Sequence, residues 1–446
     1  MWKYFSARKQ TLWDGILLIG GLSIFIAELF IFTNHEHGFS GFLVFILLVF
    51  LPAIGILFLV APFLLSKQMR QRLVLVFISS VFTIYAMESA FSFIRPKDLF
   101  EQMAGKSGMP FDRRSVFKFI QDEATKGHVV YPRLGGAHFL DQPIFIGDRP
   151  VVPLGGVASV TTVARYETGT FLVYRSDEHG FLNPSGLWSK EALDIVAVGD
   201  SFTLGCSVGL EENYMALIRQ HYPNTLNLGQ GGNGPLLMLA CVKEYATHFK
   251  PATVCWFYFE GNDLEDLNHE KENPLLIQYL EQNHQQELAQ NQNLLDDALK
   301  QYIAHSARGF SKDRYKQGLI NFVKLRSFRE RTGLLFKPPT DMDLFAQVLT
   351  NAKKTIQGWN GKFLFVYLPC WERYSGYDVA KLHREEVLKM VKGLQIPVVD
   401  MDQVFRLHQD PLSFYPYRLN GHYNAEGHRA VAEAVISCIQ LDQQYK

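Results

Sequence analysis

The sequence predicts an α/β protein, a parallel five-stranded sheet with helices on both faces, preceded by three transmembrane helices. Two observations lead there. The first hundred of the 446 residues carry three long apolar runs. From about residue 191 onward, short apolar runs alternate with amphipathic stretches, the pattern of a parallel sheet covered by helices on both sides.

The membrane runs are Ile16 to Phe32, broken only by Glu28; Phe42 to Leu65, which has no charge; and Leu73 to Phe93, with Glu88 near its end. A helix needs about 20 apolar residues to cross a hydrocarbon core. Pro52 and Pro62 in the second run are tolerable in a membrane helix. Three such runs in succession, joined by short polar loops, argue against buried helices of a soluble protein. A cleaved signal peptide fits poorly, because no A-x-A-like site follows a short apolar core. Lys3, Arg8 and Lys9 precede the first run, and Lys67, Arg70 and Arg72 separate the second from the third. The intervening "NHEHGFSG" has no Lys or Arg. The positive-inside rule then places the N-terminus in the cytoplasm and everything after residue 95 on the outer side, periplasmic if the cell is Gram-negative. The lipid bilayer is therefore an expected partner. Glu28 and Glu88 fall toward the outer ends of their spans, where water is near.

Forty-four basic residues balance forty-four acidic ones, so the basic excess of a nucleic-acid binder is missing. Five cysteines lie scattered without a CxxC pair. Cys241, Cys255 and Cys438 sit in apolar segments and read as small buried hydrophobes. Residues 1–95 form the anchor. Residues 96–190 read as a linker helix and a small β-rich lead-in, since "HVVYPRLGG", "VVPLGG" and "ASVTTVARYETGTFLVYRSDEHGF" mix β-formers with Gly and Pro. Residues 191–446 form the α/β domain. Strands are expected at 194–198, 225–228, 252–258, 362–368 and 395–399, and helices at 235–247, 342–357, 378–392 and 425–440. The Gln- and Asn-rich stretch 270–340 interrupts the alternation as a helical insertion, with 320–340 as its basic return.

In an open α/β sheet, ligands bind beyond the carboxyl ends of the strands. The segments that follow successive strands are "GDSFTLG", "GQGGNGP", "FEGNDLED" and "PCWERYSG", and "YRLNGHYNAEGH" precedes the last helix. One sheet edge thus gathers a serine, a glycine loop, an asparagine and a histidine. Ester cleavage by serine needs a base for its proton and donors for the oxygen that becomes negative. Ser201 is the candidate nucleophile and His422 the candidate base. The backbone N–H groups of Ser201 and Gly232 and the side-chain amide of Asn262 are candidate oxyanion donors. Each has an ordinary structural role available, such as a helix cap for the serine; their joint placement carries the reading. "GQGGNG" also satisfies G-x-G-x-x-G, with Glu260 where a ribose-binding acid would sit. It follows the second strand rather than the first, and a dinucleotide site leaves Ser201 and His422 unused. A metal site at His422 and His428 lacks a carboxylate cluster, so no cofactor or metal is expected.

The blocks "GDSFTLG", "NLGQGGNG", "EGND" and "NGHYNAEGH", in that order, resemble those of the SGNH hydrolase superfamily, the GDSL-type esterases. The resemblance covers 191–446 apart from the insertion. It implies a flavodoxin-like α/β/α sandwich, with Ser201 as nucleophile, Gly232 and Asn262 completing the oxyanion hole, and His422 as base. It also implies a lipid ester, thioester or acetylated sugar as substrate. One departure stands out. The family carries an aspartate two or three residues before the histidine, where this chain has Asn420 and Leu419. Asn420 can orient an imidazole but brings no charge. Either a Ser–His dyad operates, or another carboxylate such as Asp400 or Glu426 substitutes, or activity is reduced. The expected function is a membrane-anchored esterase facing outward. The alternatives are an O-acyltransferase for an envelope or exported polysaccharide and a non-catalytic subunit of an envelope assembly. Trp371, Arg373, Tyr374, Tyr415, Tyr417 and Arg418 suit a carbohydrate or head group, or equally pack within their own loops.

Overall fold

A computed structural model describes residues 12–33, 51–93, 99–332, 340–376 and 382–444. The chain forms two units, one of residues 1–96 with 309–339 and one of residues 97–308 with 340–446.

The larger unit begins with short strands β1 (Tyr131–Pro132), β2 (Ile144–Ile146), β3 (Arg149–Val151), β4 (Thr161–Arg165) and β5 (Phe171–Arg175). β2 and β3 form an antiparallel hairpin. β4 pairs antiparallel with β5 and parallel with β1. The main sheet follows: β6 (Ile195–Val198), β7 (Thr225–Asn227), β8 (Thr253–Phe259), β9 (Lys362–Leu368) and β10 (Val398–Asp400). All its pairings are parallel, in the order β10-β9-β8-β6-β7. Renumbered from β6, this is the 2-1-3-4-5 order of flavodoxin-like sheets, whose switch point lies between its first and third strands. Here those strands are β6 and β8.

Strand periodicity of two sorts the side chains into two layers. Val196, Val198, Val254, Trp256 and Tyr258 pack on one face with helices Pro235–Cys241, Met342–Gln357 and Arg384–Gly393. Ile195, Ala197, Cys255 and Phe257 pack on the other with helices Tyr214–Arg219, Met401–Arg406 and Ala425–Gln444. The first face also receives Leu134, Phe139, Val151, Val152 and Leu154, so the β-rich lead-in shares the main core. The crossover helix after Gly234 continues through a π-helical turn at Val242–Ala246 to Phe249. Part of the helix expected from 378 lies outside the described residues. The five cysteines are free, and Cys438 is only half-buried.

Among the described residues of the smaller unit, one helix, Lys67–Phe91, is long and apolar enough to cross a membrane. Three were expected. The first run falls in helix Leu12–Thr33 and the described part of the second in helix Leu51–Leu64. Residues 42–50 of the second run lie outside the described residues, as do Lys3, Arg8 and Lys9 and the loop "NHEHGFSG". Asp14 and Arg70 form a buried ion pair between the first and third helices. The insertion is divided. Helix Gln292–Val323 has its first turns in the larger unit and its last in the smaller, which also holds helix Arg326–Thr332. Glu88 does not face water as expected. It is 1% exposed and accepts hydrogen bonds from the N–H groups of Ser327 (3.1 Å) and Phe328 (2.6 Å) at the start of that helix.

Candidate active site

Ser201 opens a one-turn helix, Ser201–Leu204, at the carboxyl end of β6. Asp200 caps it, accepting from the N–H of Phe202 at 2.9 Å. Burial pushes the Asp200 carboxyl up to about 6. Its Oδ2 stands 3.5 Å from Ser201 Oγ, a marginal contact. His422 Nε2 lies much closer to Ser201 Oγ, at 2.7 Å. The ring of Phe202 lies against the imidazole, with centroids 4.7 Å apart, and stacks on Phe259.

The other ring nitrogen, Nδ1, lies 2.8 Å from Glu167 Oε1, and the same oxygen accepts from the backbone N–H of His422 at 2.8 Å. Glu167 comes from the tight turn between β4 and β5, closed by the N–H of Tyr166 donating to Thr170 O. Tyr166 Oη donates to Gly205 O at 3.2 Å, tying this turn to the segment after Ser201. Burial works to raise the Glu167 carboxyl, but the hydrogen bonds and charge of His422 outweigh it and hold the group at about 2. A Cβ at position 421 would lie 2.8 Å from Glu167 Oε1, so glycine there leaves room for the carboxylate.

The positions expected to support the histidine do not. Asn420 is exposed, and its Nδ2 donates to Glu372 Oε1 at 2.7 Å. Asp400 caps helix Met401–Arg406 and pairs with Arg384. Glu426 is exposed on the last helix. Glu167 is separated from His422 by 255 positions in sequence. The acid at the tip of "RYETGTF" was its only mark there, and nothing in it names the partner.

Gly232 has φ +83, in the left-handed region, and a Cβ there would come within 2.9 Å of Ala137 Cβ. Both backbone shape and close approach therefore require glycine. The loop 229–234 is held at both ends. The N–H of Gln230 donates to Gly199 O, and buried Glu270 accepts from the N–H groups of Gly234 and Leu236, each at 2.7 Å. Asn262 begins helix Asp263–Glu270, yet its side chain makes no capping bond. Its Oδ1 is buried without a partner. Ser201, Gly232 and Asn262 thus follow β6, β7 and β8, around the switch point.

Glu260 is committed elsewhere: it accepts from Tyr367, the N–H of Cys370 and Arg373. That leaves no free acid for a ribose. His428 is buried, accepts from the N–H of Tyr214, and burial lowers it to about 3, so it is neutral. No group of ligating residues suited to a metal occurs among the described residues. Of the residues read as suited either to a carbohydrate or head group or to loop packing, Arg373 pairs with Glu260, Tyr374 with Asp402, Tyr415 with Pro369 O and Arg418 with Asp410. Trp371 donates to Arg418 O, and the Tyr417 ring meets Phe100. Most of these contacts join one loop to another segment of the chain.

A hydroxyl hydrogen-bonded to an imidazole, itself hydrogen-bonded to a carboxylate, is the arrangement that activates a serine for acyl chemistry. No protein-family model matches the chain, and no curated protein matches it. Among solved structures it is similar to a lipolytic protein of the G-D-S-L family from Desulfitobacterium hafniense, at 17% identity over 54% of this chain and 96% of that one, with a TM-score of 0.32. It is also similar to the acetyl xylan esterase AlAXEase (15% identity, 55% and 99% covered, TM-score 0.33) and to a lipase/acylhydrolase from Enterococcus faecalis (11%, 55% and 95%, 0.33). These values describe a distant likeness and nothing finer.

Proposed function

We propose that the chain is a membrane-anchored serine esterase of the SGNH kind, acting on an acyl ester on the extracytoplasmic side, O-acylated carbohydrate included. Ser201 Oγ attacks the ester carbonyl as His422 Nε2 takes its proton. The N–H groups of Ser201 and Gly232 and the amide of Asn262 stabilise the resulting oxyanion. Collapse breaks the bond to the alcohol oxygen, which leaves with the proton held by His422. Water, deprotonated by the same nitrogen, then releases the acid and restores Ser201. Glu167 orients the imidazole and balances the cation formed in both halves.

The observation that carries the reading is the unbroken run of hydrogen bonds, Ser201 to His422 to Glu167. A fluorophosphonate reports an activated serine without requiring the substrate. We expect it to label the wild type and not Ser201→Ala, with short-ester hydrolysis falling to background in that variant. A folded wild-type protein that resists labelling would refute the proposal. Ester consumption that appears only when a sugar acceptor is added, with acyl transferred to it, would make the protein an acyltransferase instead.

A further inference from the structure

The segment 131–139 of the lead-in lies over the glycine loop. Ala137 rests against Gly232, and two residues after β1 begins, the Arg133 guanidinium lies against Gly231. A Cβ at 231 would come within 2.9 Å of both its terminal nitrogens. The Arg133 main chain is anchored, its N–H donating to Val163 O at 2.9 Å. Its side chain, by contrast, makes no hydrogen bond or ion pair among the described residues, and one terminal nitrogen is buried with no partner. Its charge reaches Tyr166, next to Glu167, and Cys206, whose N–H donates to Ser201 O. A guanidinium with a buried nitrogen is ordinarily paired, because leaving such a group without an acceptor is costly. Here the cation sits one residue from Gly232 and has nothing to hold.

We propose that Arg133 binds an oxyanion group of the substrate, a carboxylate or a phosphate placed near the scissile ester, so that the site selects acyl esters of acidic molecules over neutral ones. This rests on the esterase reading above. The planar fork of arginine matches either oxyanion through paired N–H donors.

Three alkyl fluorophosphonates, ending in a methyl, a carboxylate or a phosphate, test both levels together. The second-order labelling rate at Ser201 should favour an anionic probe over the methyl probe in the wild type by about tenfold or more. Arg133→Ala should remove most of that ratio, and Arg133→Lys should retain part of it. Rising ionic strength should shrink the wild-type ratio, a readout that needs no variant. Whichever anionic probe is preferred identifies the oxyanion. Equal labelling by all three probes, or a preference that survives in folded Arg133→Ala, overturns the role of Arg133 and leaves the esterase reading standing. No labelling by any probe overturns that reading, and the Arg133 proposal with it.

Discussion

His422 makes a bond on each side of its ring, and the two set different requirements. The bond to Ser201 needs Nε2 free to accept a proton. The bond to Glu167 keeps the other proton on Nδ1, which fixes that tautomer. Glu167→Gln keeps the size of the side chain but removes the charge that balances the imidazolium. We expect kcat to fall by about 10²- to 10⁴-fold, while Asn420→Ala, which loses only its contact with Glu372, stays near the wild type. The same pair predicts a pH signature. Glu167 is held at about 2, below its ordinary value of 4.5. Its stabilisation is therefore fully present above pH 4.5 and lost as pH falls toward 2. Melting curves of the wild type and Glu167→Gln should converge across that interval. A constant difference between them would mean that the carboxylate is not ionised against His422.

The β4–β5 hairpin and the loop 420–424 meet because Gly421 carries no side chain at the crossing, which leaves room for Glu167. Gly421 is the point of contact: a Cβ there would stand 2.8 Å from Glu167 Oε1 and 3.0 Å from Phe100 Cζ. Gly421→Ala should push Glu167 off the imidazole without touching Ser201. We expect activity to fall by at least about tenfold, with the loss much reduced when the substitution is made in Glu167→Gln, because the two act on one contact. Fully additive losses would place the defect of Gly421→Ala elsewhere. The hairpin is thus part of the site, not a lead-in to it. Its neighbour, the segment 131–139, contributes Ala137 and Arg133 to the glycine loop in the same way.

For the whole chain, the proposed esterase can meet only the esters on the side of the membrane where the larger unit lies. The bias of Lys and Arg around the first three apolar runs supports an outward-facing larger unit. Reporter fusions placed after residue 100 should be active only as exported enzymes; cytoplasmic activity there would reverse the topology. The insertion adds a constraint of its own. Residues 309–339 group with the N-terminal unit, and buried Glu88 binds the start of helix Arg326–Thr332. Glu88→Ala should loosen that helix, visible as faster amide exchange at Ser327 and Phe328. Unchanged protection would show that the carboxylate does not hold it.

The strands of the main sheet, the helices between them and the positions of Ser201, Gly232, Asn262 and His422 were legible in the chain, because each rests on local signals. Buried strands announce themselves as apolar runs, and chain order in an α/β sheet brings their carboxyl ends to one edge. The acid was not legible. The short-range expectation pointed to Asn420, Asp400 or Glu426, all near His422 in sequence or at a strand end. The side chain that reaches Nδ1 instead comes from a hairpin in a different part of the chain. Pairing between strands and packing between sheets are long-range, and no local periodicity records which turn will lie beside which loop. The same holds for Glu88, whose partners Ser327 and Phe328 lie 239 and 240 positions further along the chain, in the insertion, and for Arg133, which is an unremarkable basic residue until folding lays it on Gly231. Local chemistry specified the candidate nucleophile, base and donors; only close packing of distant segments placed a carboxylate behind the candidate base.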